Sequence, residues 1–518
     1  MEKRLQLKDL FVGKTDAKNE LLESRELFED SFLIPENINI KDFYNGGRYY
    51  ITGLKGTGKT ALLRYIALSM EKENATTSFV LFKSDFTEED KNTFSKAANT
   101  TMVQKNDDTD NEESFVSIWL WFFHRQIVKL SQQGKSFFED NSEWEKYSKC
   151  VLAPKLGNED AGIMKLFPRI KRGKVEVGGD IAFLQGKLGL EFDLENKNNK
   201  QVDFSNIIRQ TNELFKKLKP TNNKLFVFLD ELELTLGKKK QYDKDIKLIR
   251  DLIIAVNQIN TLSKQHAFPL YFITAIRSEV LTSVQAAGQE INKPILDFGI
   301  ALKWQQSGGN IKDHPLIKII NKKIQASERK YDFEAISTEE EVWKSYFPAR
   351  IGRQDFSAQE YILRRTWYRP RDIVRILTIA QQQCPNETSF SQKVFDTIVK
   401  EYSMQSWIEL IEELRTKYTE NEINGIRLLL TDIECPFTLN SISVISDSKK
   451  ELYSDVDMLM QKHKLGDILS VLYNIGIIGN TGQNVRYAFR GDEGLVLESK
   501  MKVHDPLWSY LSIRASEK

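Results

Sequence analysis

Eight consecutive residues, Gly53-Leu54-Lys55-Gly56-Thr57-Gly58-Lys59-Thr60, have the types and the spacing that wrap main chain around a phosphate chain. Gly53, Gly56 and Gly58 let the backbone curl so that successive N–H groups point inward, and the positive end of a following helix caps the anion nest. Thr57 and Ala61 belong to the same cradle. At this spacing Lys59 is expected to reach the β and γ phosphates of a nucleoside triphosphate, and the Thr60 hydroxyl to ligate Mg²⁺. The flanks agree, since an apolar strand-like run precedes the motif and a helical run without glycine or proline follows it, at residues 61–70. A glycine-rich turn that matches by chance is the bland alternative.

A second group closes an apolar run, Lys224-Leu225-Phe226-Val227-Phe228-Leu229-Asp230-Glu231. Such a strand delivers its last side chains to the carboxyl edge of a sheet, where open α/β sheets meet their ligands. Asp230 is expected to hold Mg²⁺, directly or through water. Glu231, one residue on and facing the other way, is placed to polarise an attacking water as a general base, with Glu233 as its weaker substitute. The same acidic pair also caps helices, and that reading stays open. Tyr271-Phe272-Ile273-Thr274-Ala275-Ile276-Arg277 is a further apolar run into a polar tip. The Arg277 guanidinium presents a planar fork that suits a γ-phosphate, or alternatively a surface ion pair.

Positioning these groups takes a sheet. Residues 48–52, 79–82, 225–229 and 270–275 are apolar enough to be strands buried on both faces, and Ile246, Ile249, Ile253, Val256 and Ile259 recur at helical spacing. Strands alternating with helices give an α/β fold, a parallel sheet with helices on both faces. Residues 84–204 read as an insertion. It holds a polar stretch at 105–113, an aromatic helix around Trp119, Trp121, Phe122 and Phe123, and alternating runs at Val175, Val177 and at Leu188, Leu190, Phe192 that suggest a hairpin. The aromatic group has stacking chemistry for bases, although packing a core is the commoner use. Beyond about residue 291 helices dominate, including 314–324 and 371–382. The C-terminal stretch mixes a helix at 455–473 with short strands near Tyr487 and Leu495.

At these residues the chain resembles the AAA-like and STAND branch of P-loop (ASCE) ATPases, which place the catalytic glutamate directly after the magnesium aspartate. Phe11-Val12-Gly13-Lys14 followed by Glu20-Leu21-Leu22 is similar to the segment that lines the adenine pocket there, which assigns Gly13 to the nucleotide; Lys14 stands where that segment usually has arginine. Thr274 and Arg277 resemble the first sensor. Tyr368-Arg369-Pro370-Arg371-Asp372-Ile373-Val374-Arg375 resembles the helical lid of a phage-defence-associated prokaryotic group, and residues 472–479 and 503–508 resemble its winged-helix end. The resemblance implies a P-loop NTPase core over 1–290 with the insertion inside it, a helical lid over 291–419 and a winged-helix-like domain over 420–518. Arg371, and after it Arg369, would serve as a second sensor, and His504 is the candidate to hold the β-phosphate of ADP, although a satisfied surface or core histidine is the commoner reading for such a residue. A solvated basic face or a nucleic-acid contact competes with the sensor reading for Arg364, Arg365, Arg369, Arg371 and Arg375. The implied activity is an ATPase switch using ATP and Mg²⁺, acting through a homo-oligomer or a separate effector, in anti-phage defence. The alternatives are a DNA-binding ATPase and a regulatory module that holds nucleotide without useful turnover.

Composition bounds the rest. Across 518 residues, 74 Lys and Arg against 73 Asp and Glu leave a net charge of +1, so any nucleic-acid contact has to come from a local patch. Two runs qualify: Lys165, Arg169, Lys171, Arg172, Lys174, and Lys238, Lys239, Lys240. An apolar share of 41% excludes a chain disordered throughout. Cys150, Cys384 and Cys435 lie far apart without metal-binding spacing, which points to a reducing compartment. With a charged N-terminus and no apolar run long enough to span a bilayer, a cytoplasmic location without membrane contact is expected.

Overall fold

The run Leu225–Asp230 is buried at all six positions, as a strand covered on both faces of a parallel sheet requires. In the computed structural model it is one of five parallel strands. The structure describes residues 4–82, 115–155, 170–171, 174–178, 185–187, 192–193, 201–232, 239–286, 291–305, 310–352, 354–415, 417–482, 485–492 and 494–516. The chain divides into two compact units, Glu36–Leu54 with Leu62–Leu302, and Met1–Pro35 with Lys55–Ala61 and Lys303–Lys518.

In the sheet-bearing unit, β1 (Tyr50–Gly53), β2 (Thr76–Leu81), β3 (Leu225–Asp230), β4 (Leu270–Arg277) and β5 (Gly299–Ala301) lie in the order β2-β3-β4-β1-β5, every neighbouring pair parallel. The chain leaves β1 for the far edge, works back through β3 and β4, and then crosses to β5 on the other side of β1. Strand order therefore reverses at β1, and at such a reversal open α/β sheets bind their ligands beyond the carboxyl ends of the strands. The mixed α/β class and the parallel sheet are as the sequence predicts. Each expected strand is present, β2 starting at Thr76 and β3 and β4 running on to Asp230 and Arg277. β5 has no counterpart in the sequence reading, because three residues between helices carry no periodic signal. Its place comes from pairing Tyr50 with Gly299 through Thr52 with Ala301.

Helices cover the sheet. α1 (Lys59–Lys72) buries Leu62, Leu63, Ile66 and Met70, and its Arg64 guanidinium lies 3.6 Å above the Phe79 ring of β2. The aromatic run lies on α2 (Val116–Gln133), which packs with α3 (Ser142–Leu152) and α4 (Phe204–Phe215), and its Trp119 donates the indole N–H to the Leu248 carbonyl of α5 (Lys239–Gln265) at 3.1 Å. The Phe123 ring meets Phe272 of β4 at 4.3 Å. Trp119, Trp121, Phe122 and Phe123 are wholly buried, so they pack the core and none is available to stack on a base. Part of the expected insertion is therefore a layer of the domain itself. Asn260 of α5 hydrogen-bonds both the N–H and the C=O of Phe272 at 2.8 Å, completing the β4 backbone where β1, which starts opposite Thr274, does not reach.

The rest of the insertion differs from expectation. Lys174–Glu176 pairs with Ile170–Lys171 and with Gln201–Asp203, and Phe192–Asp193 pairs with Gln201–Asp203, all antiparallel. The Val175 run therefore has other partners than the run ending at Phe192, since alternation marks a strand without naming its neighbour. Leu188, Leu190 and residues 105–113 lie outside the described residues.

The second unit is mainly helical. α6 (Pro315–Lys330), α7 (Pro370–Gln383) and α8 (Gln392–Leu414) are followed by α9 (Glu420–Leu430), α10 (Ser454–Lys462) and α11 (Leu465–Ile475). The single helix expected over 455–473 is thus two. A two-stranded antiparallel ribbon, β6 (Ile478–Asn480) against β7 (Met501–Val503), replaces the strands expected near Tyr487 and Leu495. Leu429, Leu472, Tyr473, Ile478, Met501 and Val503 share one core with Trp367. Among the described residues, no helix is long and apolar enough to cross a membrane.

Gly425 marks a close approach of α9 to α10: a Cβ there would lie 2.4 Å from the Asp455 carbonyl oxygen. Alanine normally stabilises a helix interior by about 1 kcal/mol over glycine. Here the backbone clash outweighs that gain, and Gly425→Ala is expected to lower stability by about 1–3 kcal/mol. Urea unfolding checks this, and an unchanged midpoint would show that α9 and α10 separate at no cost.

Candidate functional site

Gly53 ends β1 and Lys59 opens α1, so the residues between them turn strand into helix. Gly56 and Gly58 stand at φ 80° and 89°, in the left-handed region that glycine enters without penalty. The Thr57 carbonyl accepts the indole N–H of Trp304 at 2.8 Å, which braces the turn. Lys59, Thr60 and Ala61 occupy the first turn of this 14-residue helix, where backbone N–H groups without helical partners and the helix dipole favour an anion. One strand–turn–helix therefore carries Gly53, Gly56, Thr57, Gly58, Lys59, Thr60 and Ala61.

The carboxyl edge of the same sheet carries the acidic pair and the arginine. Gly53 is in register with Arg277, Leu81 with Asp230, and Leu229 with Thr274. Asp230 is 4% exposed, and its Oδ1 accepts the Glu231 N–H at 2.8 Å. Glu231 takes φ 62°, a left-handed conformation that costs a non-glycine residue roughly 1 kcal/mol. Strain retained at a strand tip is a mark of positions where the aim of a side chain matters. Thr274 departs from the sensor expectation. It lies level with Tyr50 and Leu229, three residues inside the strand end and on the opposite face from Arg277, and its buried hydroxyl has no hydrogen-bond partner among the described residues.

In the helical unit, Gly13 takes φ 87° and sits against α6. A Cβ on Gly13 would lie 2.4 Å from Lys323 Nζ. Buried Glu20 accepts both Lys323 Nζ at 2.9 Å and the Lys14 N–H at 2.8 Å, and the Phe11 N–H reaches Ser327 Oγ at 2.7 Å.

The phosphate-type loop and the start of α7 belong to this unit and touch. A Cβ on Gly56 would lie 3.3 Å from Arg369 Cδ and 3.5 Å from Arg371 Cβ, and the Arg371 N–H points at the Gly56 carbonyl at 3.4 Å. Arg371 and Arg369 are thus brought to the loop. Four of the five arginines of this stretch are paired inside the chain, which counts against a solvated basic face. Arg371 pairs with Glu409 at 2.7 Å, Arg369 with Glu413 at 2.9 Å, and Arg364 with Glu360 at 2.9 Å. Arg375 pairs with Glu409 and with Asp372, and Arg365 stacks over the Tyr361 ring at 3.5 Å. Burial pulls the Arg371 and Arg365 guanidinium pKa values down from the usual arginine value. Lys55, Trp304, Glu409, Glu412 and Glu413 are the residues missed by the sequence reading. The acidic spacing of three and four on one helix opposite an arginine-rich stretch was their available signal.

His504 is a core histidine. It is 1% exposed, its Nε2–H donates to the Thr366 carbonyl at 3.0 Å, and the Trp367 and Tyr487 rings lie 4.8 Å away. Burial pulls its pKa down to about 3, and His124 and His314 are pulled down to about 4 for the same reason. The unfolded chain, with histidine near 6.5, then binds protons that the folded chain refuses, so stability is full above pH 6.5 and falls as pH drops toward 4. Each buried histidine contributes up to about 1.4 kcal/mol per pH unit in that window. His504→Gln keeps an N–H donor and is expected to flatten the fall by one proton, read from urea midpoints between pH 7.5 and about 4.5. A parallel fall in the variant would contradict this.

Glu233, Lys165, Arg169, Arg172 and Lys238 lie outside the described residues, and for Lys171, Lys239 and Lys240 only the main chain is described.

Residues 314–411 match a family model described as a FunZ-associated C-terminal helical domain. The match runs from the start of α6 into α8 and includes Arg369, Arg371, Arg375 and Glu409. Among curated proteins, none matches the chain.

Proposed function

We propose that the protein is a Mg²⁺-dependent ATPase that works as a switch, through a second copy or an effector protein, in anti-phage defence as the sequence resemblance implies. The observation that carries the reading is the strand–turn–helix at Gly53–Thr60, whose left-handed Gly56 and Gly58 lead into the α1 N-terminus, on the sheet whose carboxyl edge also bears Asp230, Glu231 and Arg277. The donor set fits its ligands. Backbone N–H groups and Lys59 suit a triphosphate tail, and a hydroxyl with a buried carboxylate, Thr60 and Asp230, suits a hard divalent cation. When bound, Mg²⁺ would neutralise charge on the β- and γ-phosphate oxygens.

The chain's own residues then divide the work. Lys59 stabilises charge that develops on the phosphates, and Arg277 engages the γ-phosphate. Glu231, held in its strained conformation, orients and deprotonates the attacking water. Gly13 belongs to the nucleotide pocket, and Arg371 reports phosphate charge to α7. The DNA-engaged alternative loses its arginine-rich stretch, whose charges are already matched by Glu360, Asp372, Glu409 and Glu413.

The test is Mg²⁺-dependent phosphate release by the purified chain, alone and with duplex or single-stranded DNA. Release that stops with chelator and is indifferent to DNA supports the switch. Strong stimulation by DNA, lost at high salt, transfers the reading to a DNA-engaged ATPase. Binding without release makes it a nucleotide-holding module.

A further inference from the structure

α8 ends in Trp407-Ile408-Glu409-Leu410-Ile411-Glu412-Glu413-Leu414, and the spacing of three and four puts its three glutamates on one face. Each meets a cation of the phosphate-type loop or of the α7 N-terminus. Glu412 pairs with Lys55, whose Nζ also lies 3.8 Å from Glu409. Glu409 takes Arg371 at 2.7 Å together with Arg375, and Glu413 takes Arg369 at 2.9 Å. The Lys55 and Arg369 side chains are 9% and 5% exposed, so their charges require matched partners. Lys55 stands at a position the phosphate-loop pattern leaves unspecified, and its contact with Glu412 joins residues 357 apart in sequence.

A triphosphate brings negative charge to the loop on which these cations converge, as the three glutamates do. We propose that Glu409, Glu412 and Glu413 form an internal anion that holds Lys55, Arg369 and Arg371 when no nucleotide is bound, and that incoming phosphates compete with it for those cations. The inference rests on the phosphate-binding reading of the loop. A ligand shifts such an equilibrium only by its differential affinity for the two arrangements, and here the difference is the set of cations released from carboxylate to phosphate. α8 leads through a short link into α9, so freeing its last turn carries phosphate occupancy into the C-terminal helices.

The test is equilibrium binding of a fluorescent Mg·ATP analogue to the full chain at about 50 mM and about 500 mM salt. Wild type is compared with Glu412→Gln and with Glu409→Gln/Glu412→Gln, and Lys59→Ala is the reference for loss of the phosphate site. Glu412 is 56% exposed, so Glu412→Gln leaves the fold intact, and a melting curve checks this for both variants. At low salt the single variant is expected to bind about threefold tighter and the double variant about tenfold tighter, the gap narrowing at high salt as screening weakens the internal pairs. If wild type binds, Lys59→Ala binds far more weakly, and both glutamine variants bind no tighter than wild type, the internal anion is overturned while the phosphate site stands. A lower melting temperature with unchanged affinity likewise overturns it, marking the row as structural only. If neither wild type nor any glutamine variant binds, both readings fall.

Discussion

Lys59→Ala is expected to weaken binding of Mg·ATP about 100-fold in a calorimetric or fluorescence titration. Lys59 is the first residue of α1, directly after the left-handed Gly58. Removing an ammonium that donates to two phosphate groups costs about 3 kcal/mol, and each 1.4 kcal/mol is tenfold in affinity. The backbone turn through Gly56, Thr57 and Gly58 is untouched by the substitution, so residual binding in the high micromolar to millimolar range is expected rather than none. A change of less than about threefold would show that the lysine does not face the phosphates.

Glu231→Gln separates binding from chemistry. Glutamine has the shape of glutamate, adopts φ 62° at a similar cost, and keeps the N–H that reaches Asp230 Oδ1. Affinity is therefore expected to stay within about threefold, while the rate of phosphate release falls by roughly 10²–10⁴-fold, the usual contribution of a positioned general base. Single-turnover measurement with labelled ATP distinguishes slow chemistry from slow product release. Turnover equal to wild type would remove Glu231 from the base role and leave its strained backbone without a functional account.

How much was legible in the sequence follows from how local each signal is. The Gly53–Thr60 turn declares itself because glycine at Gly56 and Gly58 is what φ 80° and 89° demand. β3 is legible because a strand buried on both faces is an unbroken apolar run that ends where the first carboxylate can be tolerated, at Asp230. β5 was illegible, since Gly299–Ala301 is too short for any period and is defined only by its partner β1. The hairpin expectation failed for the same reason in reverse: Val175 and Val177 announce a strand, but Gln201–Asp203 and Ile170–Lys171 are selected by tertiary packing. The aromatic run on α2 was legible as apolar, yet its role as cover for β4 appears only through Phe272 and Leu248.

Within the site, the arginines of α7 were found by their pattern and their partners were not. Arg369 and Glu413 are 44 residues apart, Arg371 and Glu409 38 apart, and nothing in local periodicity joins them. Charge counting over short windows reads five arginines near one helix start as a solvated or nucleic-acid-facing surface. The three-dimensional pairing with one face of α8 matches three of them instead, Arg369, Arg371 and Arg375, and this moves the expected electrostatic work from an external polyanion to the chain's own loop.

The central claim is that the Gly53–Thr60 turn holds the triphosphate of a nucleotide. Equilibrium dialysis of labelled ATP against the full chain, with and without Mg²⁺ and with unlabelled ATP or free phosphate as competitor, measures it most directly. The account predicts saturable binding at one nucleotide per chain, displaced by ATP and not by millimolar inorganic phosphate. Binding that never saturates, or that free phosphate displaces as readily as ATP, would contradict it.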